Sequence, residues 1–171
     1  CATPMSHDLK QNFFELFALP ARFEIDSAQL DRAYRDIQAA VHPDRFVNAG
    51  EAERRASMQQ ATHVNEAYQT LKSPIRRAAY LLRQRGIDPQ FETNTSMPAD
   101  FLVEQMEWRE AIEEASEAAD AHELDHLSSR LAGELRRMIA EIGHQLDERR
   151  DYLGAAGTLR KLMFLDKLEA E

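Results

Sequence analysis

The chain holds one cysteine among 171 residues, Cys1 at its first position. One cysteine excludes an internal disulfide framework and a cysteine-rich zinc site, and Cys1 carries no assigned role. Glycine is sparse, with six residues, so no glycine-rich segment exists. Strand signals are nearly absent: there is no sustained period-two alternation and no Asn-Gly or Asp-Gly hairpin turn. No apolar run approaches the length that spans a bilayer. The N-terminus shows neither a secretory apolar core nor an Arg-rich transit pattern. Met5 reads as the natural start, with Cys1 to Pro4 an added or frayed end. What remains is an all-α reading.

The composition, 43% hydrophobic and 30% charged, suits one globular domain or two small ones. The net charge of −9 is uneven: residues 1–86 carry 12 Lys+Arg and 10 Asp+Glu, residues 87–171 carry 9 and 20. Such asymmetry points to two parts with different partners. The acidic half argues against nucleic acid, whose phosphates it would repel.

Helical periodicity runs through both halves. Leu9, Phe13, Phe14, Leu16, Phe17 and Leu19 predict a short first helix stopped by Pro20. Leu30, Ala33, Tyr34, Ile37 and Val41 form the stripe of a second, with Asp26 as N-cap and Gln29 placed for a capping box. Ala61, Val64, Ala67, Tyr68 and Leu71 form a third. Ser73 and Pro74 start a fourth as N-cap and first helical residue. Its stripe is Ile75, Ala78, Ala79 and Leu82, and it closes near Gly86. Gly86, Asp88, Pro89, Asn94, Thr95 and Ser96 then mark a connector.

Between the second and third helices stands His42-Pro43-Asp44, followed by Arg45 and Phe46. Pro43 cannot continue a helix and biases His42 away from helical angles. The two helices can pack antiparallel, which puts an imidazole and a carboxylate, stiffened by proline, at the exposed tip of a hairpin. This arrangement resembles the J-domain, which keeps His-Pro-Asp between its second and third helices and recruits and stimulates a DnaK-class ATPase. The basic segment Ile75-Arg76-Arg77-Ala78-Ala79-Tyr80 is similar to the fourth J-domain helix. Neither a Gly/Phe-rich segment nor zinc-binding cysteines follow, so the general-purpose J-proteins match poorly.

Beyond the connector, three helical patterns predict a three-helix bundle with short links. Pro98 opens the first, which runs to about Ala119. Leu124, Leu127, Leu131, Leu135, Met138, Ile142 and Leu146 define the second. Tyr152, Ala155, Ala156, Leu159, Leu162 and Met163 define the third. The first has two apolar surfaces. Phe101, Trp108, Ile112, Ala115 and Ala119 share the natural core stripe. Leu102, Val103 and Met106 lie roughly 100° or more away, beside Glu107, Glu110 and Glu114. Phe164 is likewise displaced from the stripe of its own helix. An apolar strip rimmed by carboxylates has the form of a partner-binding surface.

Three stretches narrow the resemblance to the HscB family, the J-proteins of iron–sulfur cluster assembly. They are residues 41–46, the run Phe101-Leu102-Val103-Glu104-Gln105-Met106-Glu107-Trp108-Arg109-Glu110, and Arg160-Lys161-Leu162-Met163-Phe164-Leu165-Asp166-Lys167-Leu168. The resemblance implies an L-shaped protein with a J-domain over 8–86, a connector over 87–97 and a three-helix bundle over 98–171. It implies delivery of the scaffold protein IscU to the DnaK-class ATPase HscA, with stimulation of ATP hydrolysis. His42, Pro43, Asp44, Arg45, Arg32 and Arg35 would meet the ATPase. Leu102, Val103, Met106 and Phe164 would meet the scaffold, within an acidic rim of Glu107, Glu110 and Glu114. Val103 stands where the family often has a larger Met, and Arg45 where many J-domains have Lys. Asp31 and Asp36 offset the basic face of Arg32 and Arg35. The cysteine pairs that eukaryotic relatives carry ahead of the J-domain are missing, which implies a bacterial, cytoplasmic protein. No cofactor, metal, nucleic acid or membrane is implied.

Two other readings compete. An enzyme would use His42 and Asp44 as an acid–base pair, but a hairpin tip offers no enclosing pocket. A metal site would draw on His63, His122, His126 and His144, which are scattered; His122 and His126 are spaced i, i+4 without a third ligand. The alternative to a co-chaperone is a helical adaptor without ATPase stimulation.

Overall fold

The computed structural model describes residues 12–88 and 99–170, and those residues contain helices and no strand. Cys1, Met5, Leu9, most of the expected connector and Pro98 lie outside the described residues. By its contacts the chain divides into two compact units between Tyr80 and Leu81.

The first unit holds α1 (Phe13–Leu16), α2 (Ser27–Val41), a 3₁₀ turn (Pro43–Phe46), α3 (Glu51–Lys72) and the start of α4 (Pro74–Gln84). Asn12 caps α1, its side chain accepting the Glu15 N–H at 2.8 Å. Asp26 caps α2 by accepting from the amides of Ala28 and Gln29. Ser73 Oγ accepts the Arg76 N–H at the head of α4. Gly86, at φ +78°, lets the chain turn left-handed after α4, and the Ile87 N–H returns to the Leu82 carbonyl, the usual role of glycine past a helix end.

Three cross-links fix the α2–α3 hairpin as antiparallel: Val41 meets Ser57, Tyr34 stacks on Tyr68 at 4.0 Å between ring centroids, and Asp31 meets Lys72. Leu30, Ile37 and Val41 from α2 are buried, as are Val64, Ala67 and Leu71 from α3. Phe14, Phe17 and Phe23 bury themselves from α1 and the loop after it. Burying a side chain of this size stabilises by roughly 1.5–3 kcal/mol. Arg77, nearly fully buried, donates to the Leu71 carbonyl at 2.7 Å and lies over the Phe23 ring at 4.6 Å. One arginine of the basic fourth helix is therefore part of the interior.

The second unit holds α5 (Ala99–Glu117), α6 (Ala121–Gly143), a wide π turn (His144–Glu148) and α7 (Tyr152–Ala170), each helix packed on the other two. Asp120 caps α6 by accepting the Glu123 N–H. Leu127, Leu131, Leu135, Met138, Ile142 and Leu146 are all buried, so the α6 stripe runs through the π turn. On α7 the buried set is Ala155, Ala156, Leu159, Leu162, Leu165 and Leu168, while Met163 is half-exposed. The α5 stripe differs from expectation at its end. The helix stops at Glu117, and Ala119 turns left-handed at φ 52° and is exposed. Gln105, buried among the apolar positions of that stripe, has an Nε2 without a hydrogen-bond partner.

Candidate functional site

Two exposed features coincide with the residues singled out in the sequence. The first is the turn after α2. His42 ends α2, and Pro43, which lacks an amide hydrogen, starts the 3₁₀ turn. The Arg45 N–H donates to the His42 carbonyl at 3.0 Å, and the Asp44 N–H donates to His42 Nδ1 at 3.2 Å. The Asp44 carboxylate stands 3.6 Å from Nδ1 and its side chain is 87% exposed, against 49% for His42. Imidazole and carboxylate are thus displayed on a backbone held by proline and two local hydrogen bonds. Arg45 is exposed beside them.

Arg32 and Arg35 are exposed on α2. The expected offset by Asp31 is not a direct pairing. Lys72 Nζ bonds both oxygens of Asp31, at 2.9 and 3.0 Å, and the Tyr68 hydroxyl donates to it at 2.8 Å. These bonds, Lys72 first, hold the Asp31 carboxyl below its usual range, and the bond to Asp31 raises Lys72 and Tyr68. Arg35 Nε reaches only the Asp31 carbonyl, at 3.4 Å. Neither Arg32 nor Arg35 has an ion-pair partner among the described residues.

The second feature is the outer side of α5. Leu102, Val103 and Met106 are 44%, 54% and 62% exposed, and Phe164 of α7 is 37% exposed. Phe101 connects the two helices: it is buried, and its ring centroid is 6.5 Å from that of Phe164. Phe164 is therefore anchored on one side and open on the other. Glu107, Glu110 and Glu114 are exposed along the same helix.

Sequence reasoning missed Ser57. It is buried on α3 and donates to the carbonyl oxygen of Val41 at 2.7 Å, directly before the His42 turn. Among the described residues no group of three or more His, Cys, Asp or Glu side chains is arranged to hold a metal. His122 and His126 are exposed near the start of α6. No helix among the described residues is long and apolar enough to cross a membrane.

Comparison with known proteins fits these features. Residues 12–80 match the DnaJ domain family and residues 97–171 match the HSCB C-terminal oligomerisation domain family. The chain is 50% identical over 167 residues to a "Co-chaperone protein HscB homolog" of Aromatoleum aromaticum, covering 98% of this chain and 94% of the relative. It is 52% identical over 163 residues to the protein of that name in Burkholderia thailandensis, covering 95% and 93%. Among solved structures it is similar to chaperone HscB from Vibrio cholerae, with 40% identity, TM-score 0.83 and 94% of each chain covered. Human co-chaperone protein HscB matches with 29% identity and TM-score 0.89, over 95% of this chain and 81% of that one.

Proposed function

The chain belongs to the HscB family of J-domain co-chaperones, and from that premise we propose that it delivers the scaffold protein IscU to the DnaK-class ATPase HscA and stimulates ATP hydrolysis there. The reading places the protein in the bacterial cytoplasm and gives it no catalysis of its own. What carries it is the placement of two solvent-facing features in separate units. One unit displays His42 and Asp44 on a constrained turn. The other leaves Leu102, Val103, Met106 and Phe164 in solvent, outside a core that buries Phe101, Met138, Ile142 and a set of leucines and alanines.

In this mechanism Asp44, exposed and preset by the turn, pairs with a cationic group of the ATPase; such charge-assisted pairs are strong once water is excluded. His42 and Pro43 present it, and Arg45, Arg32 and Arg35 meet acidic groups around it. Leu102, Val103, Met106 and Phe164 form the apolar centre for the scaffold, and Glu107, Glu110 and Glu114 form its rim. Joining both partners through one chain raises the effective concentration of scaffold at the ATPase.

Single-turnover ATP hydrolysis by HscA, with this protein and IscU each present or absent, tests the proposal. Stimulation by this protein that rises further with IscU is the expected result. Scaffold binding without stimulation would favour the plain helical adaptor.

A further inference from the structure

A cleft of about 700 Å³ runs between α5 and α6. Glu104, Glu107 and Trp108 line it from α5; Arg130, Gly133 and Glu134 line it from α6. Three carboxylates therefore face a space with one arginine in its lining. That arginine, Arg130, lies over the Trp108 ring at 5.1 Å. Glu134 is already taken: Arg137 Nε donates to it at 3.1 Å, and this pairing holds its carboxyl below the usual range. Glu104 and Glu107 have no hydrogen bond or ion pair among the described residues, although Glu104 lies within the electrostatic reach of Arg137.

We propose that this cleft is a second subsite of the scaffold-binding face and takes a lysine or arginine side chain of the scaffold protein. The inference rests on the scaffold reading above. Two observations carry it. Glu107 belongs both to the rim of the exposed apolar strip and to the lining of the cleft, so the two surfaces are continuous. The chemistry of the lining also selects its occupant. Lysine and arginine combine an apolar stem with a cationic head. The stem fits against Trp108, Ala111 and Leu127, and the head reaches the two unpaired carboxylates. Tryptophan is the best aromatic partner for a cation, and Arg130 already occupies such a position from within the chain. An acidic or wholly apolar occupant would desolvate Glu104 and Glu107 without pairing them, which is unfavourable.

Gly133 supplies a clean way to test this. A Cβ at Gly133 would meet nothing nearer than Arg136 Nη2 at 3.8 Å, an ordinary contact distance, so a side chain is admitted at this position of the cleft lining and improves helix propensity. The experiment is a calorimetric titration of the full chain with purified IscU, at low and high salt, for the wild type, Gly133→Leu, Glu104→Gln and Leu102→Ala. The emission of Trp108, the chain's one tryptophan, is followed alongside. Gly133→Leu and Glu104→Gln are each expected to weaken binding about tenfold, the effect of losing one good interface contact. The deficit of Glu104→Gln should shrink as salt rises, because it removes a charge. In the wild type, Trp108 emission should shift on binding. If both cleft variants bind like wild type while Leu102→Ala does not, the cleft assignment is overturned and the scaffold reading stands. A Glu104→Gln deficit indifferent to salt overturns the cationic occupant. Absence of wild-type binding overturns both.

Discussion

The hydroxyl of Ser57 donates a 2.7 Å hydrogen bond to the carbonyl oxygen of Val41, and both residues are buried. The bond has a specific cause. In a continuing helix the Val41 carbonyl would receive the amide of Arg45, but that amide turns to His42 instead because the chain tightens at Pro43. Ser57 supplies the missing donor. Ser57→Ala should therefore leave a buried carbonyl unpaired and cost about 1–3 kcal/mol. Urea unfolding would measure this, and an unchanged midpoint would mean that the carbonyl finds another donor.

The tip itself should behave in the opposite way. His42→Gln and Asp44→Asn alter exposed side chains, whose changes usually stay within about 0.5 kcal/mol of neutral. Melting should hardly move while stimulation of HscA falls sharply. Full stimulation by both variants would remove these residues from the proposed ATPase contact.

On the scaffold face, centre and rim should fail differently. Truncating an apolar anchor at the centre of an interface costs on the order of 2 kcal/mol or more and acts through the off-rate. Leu102→Ala with Phe164→Ala should thus cripple IscU binding at any salt. Glu110→Ala should weaken it at low salt and lose its effect as salt rises. Stimulation by the J-domain alone should survive all three changes. A large drop in melting for the alanine pair would reassign Leu102 and Phe164 to the core.

The Asp31–Lys72–Tyr68 group sets a pH dependence at each end of the scale. The Asp31 carboxyl is lowered from 3.8, chiefly by the Lys72 hydrogen bond. Its stabilisation is therefore fully present above the unfolded value and is lost as pH falls through the lower folded value. Lys72 is raised from 10.5 and Tyr68 from 10.0, both chiefly by the bond to Asp31. Their contributions are present below those unfolded values and vanish as pH rises through the folded ones. Melting measured against pH should show two shoulders, one in acid and one in base. Asp31→Asn should flatten both; a profile unchanged by this substitution would mean that solvent screens the group completely.

Much of this was legible because it repeats. The stripes of α2, α3 and α6 follow the helical period, and Asp26 and Ser73 announce their helix starts. The His-Pro-Asp turn was legible as a helix stop, since proline forces it. The displaced Leu102, Val103, Met106 and Phe164 were legible as departures from period, and they are exposed. What escaped has no period. A serine hydroxyl serving a distant carbonyl leaves no pattern, and neither does the pairing of Asp31 with Lys72, 41 residues away. Gln105 occupies a core position but is polar, so hydropathy passes over it. Ala119 fitted the α5 stripe by count, yet the helix ends before it. The α5–α6 cleft needs two helices at a set spacing, which one helix's sequence does not specify.

Ala18, Ala119 and Arg150 all sit at φ of 52–54°, in left-handed turns where glycine would be at ease. For a residue with a Cβ that conformation costs roughly 1–2 kcal/mol. The native state therefore tolerates three local penalties at positions belonging to neither proposed face. Each is a latent margin: relieved, it would offset the destabilisation that surfaces incur as they change toward a new partner, with both contact faces left untouched.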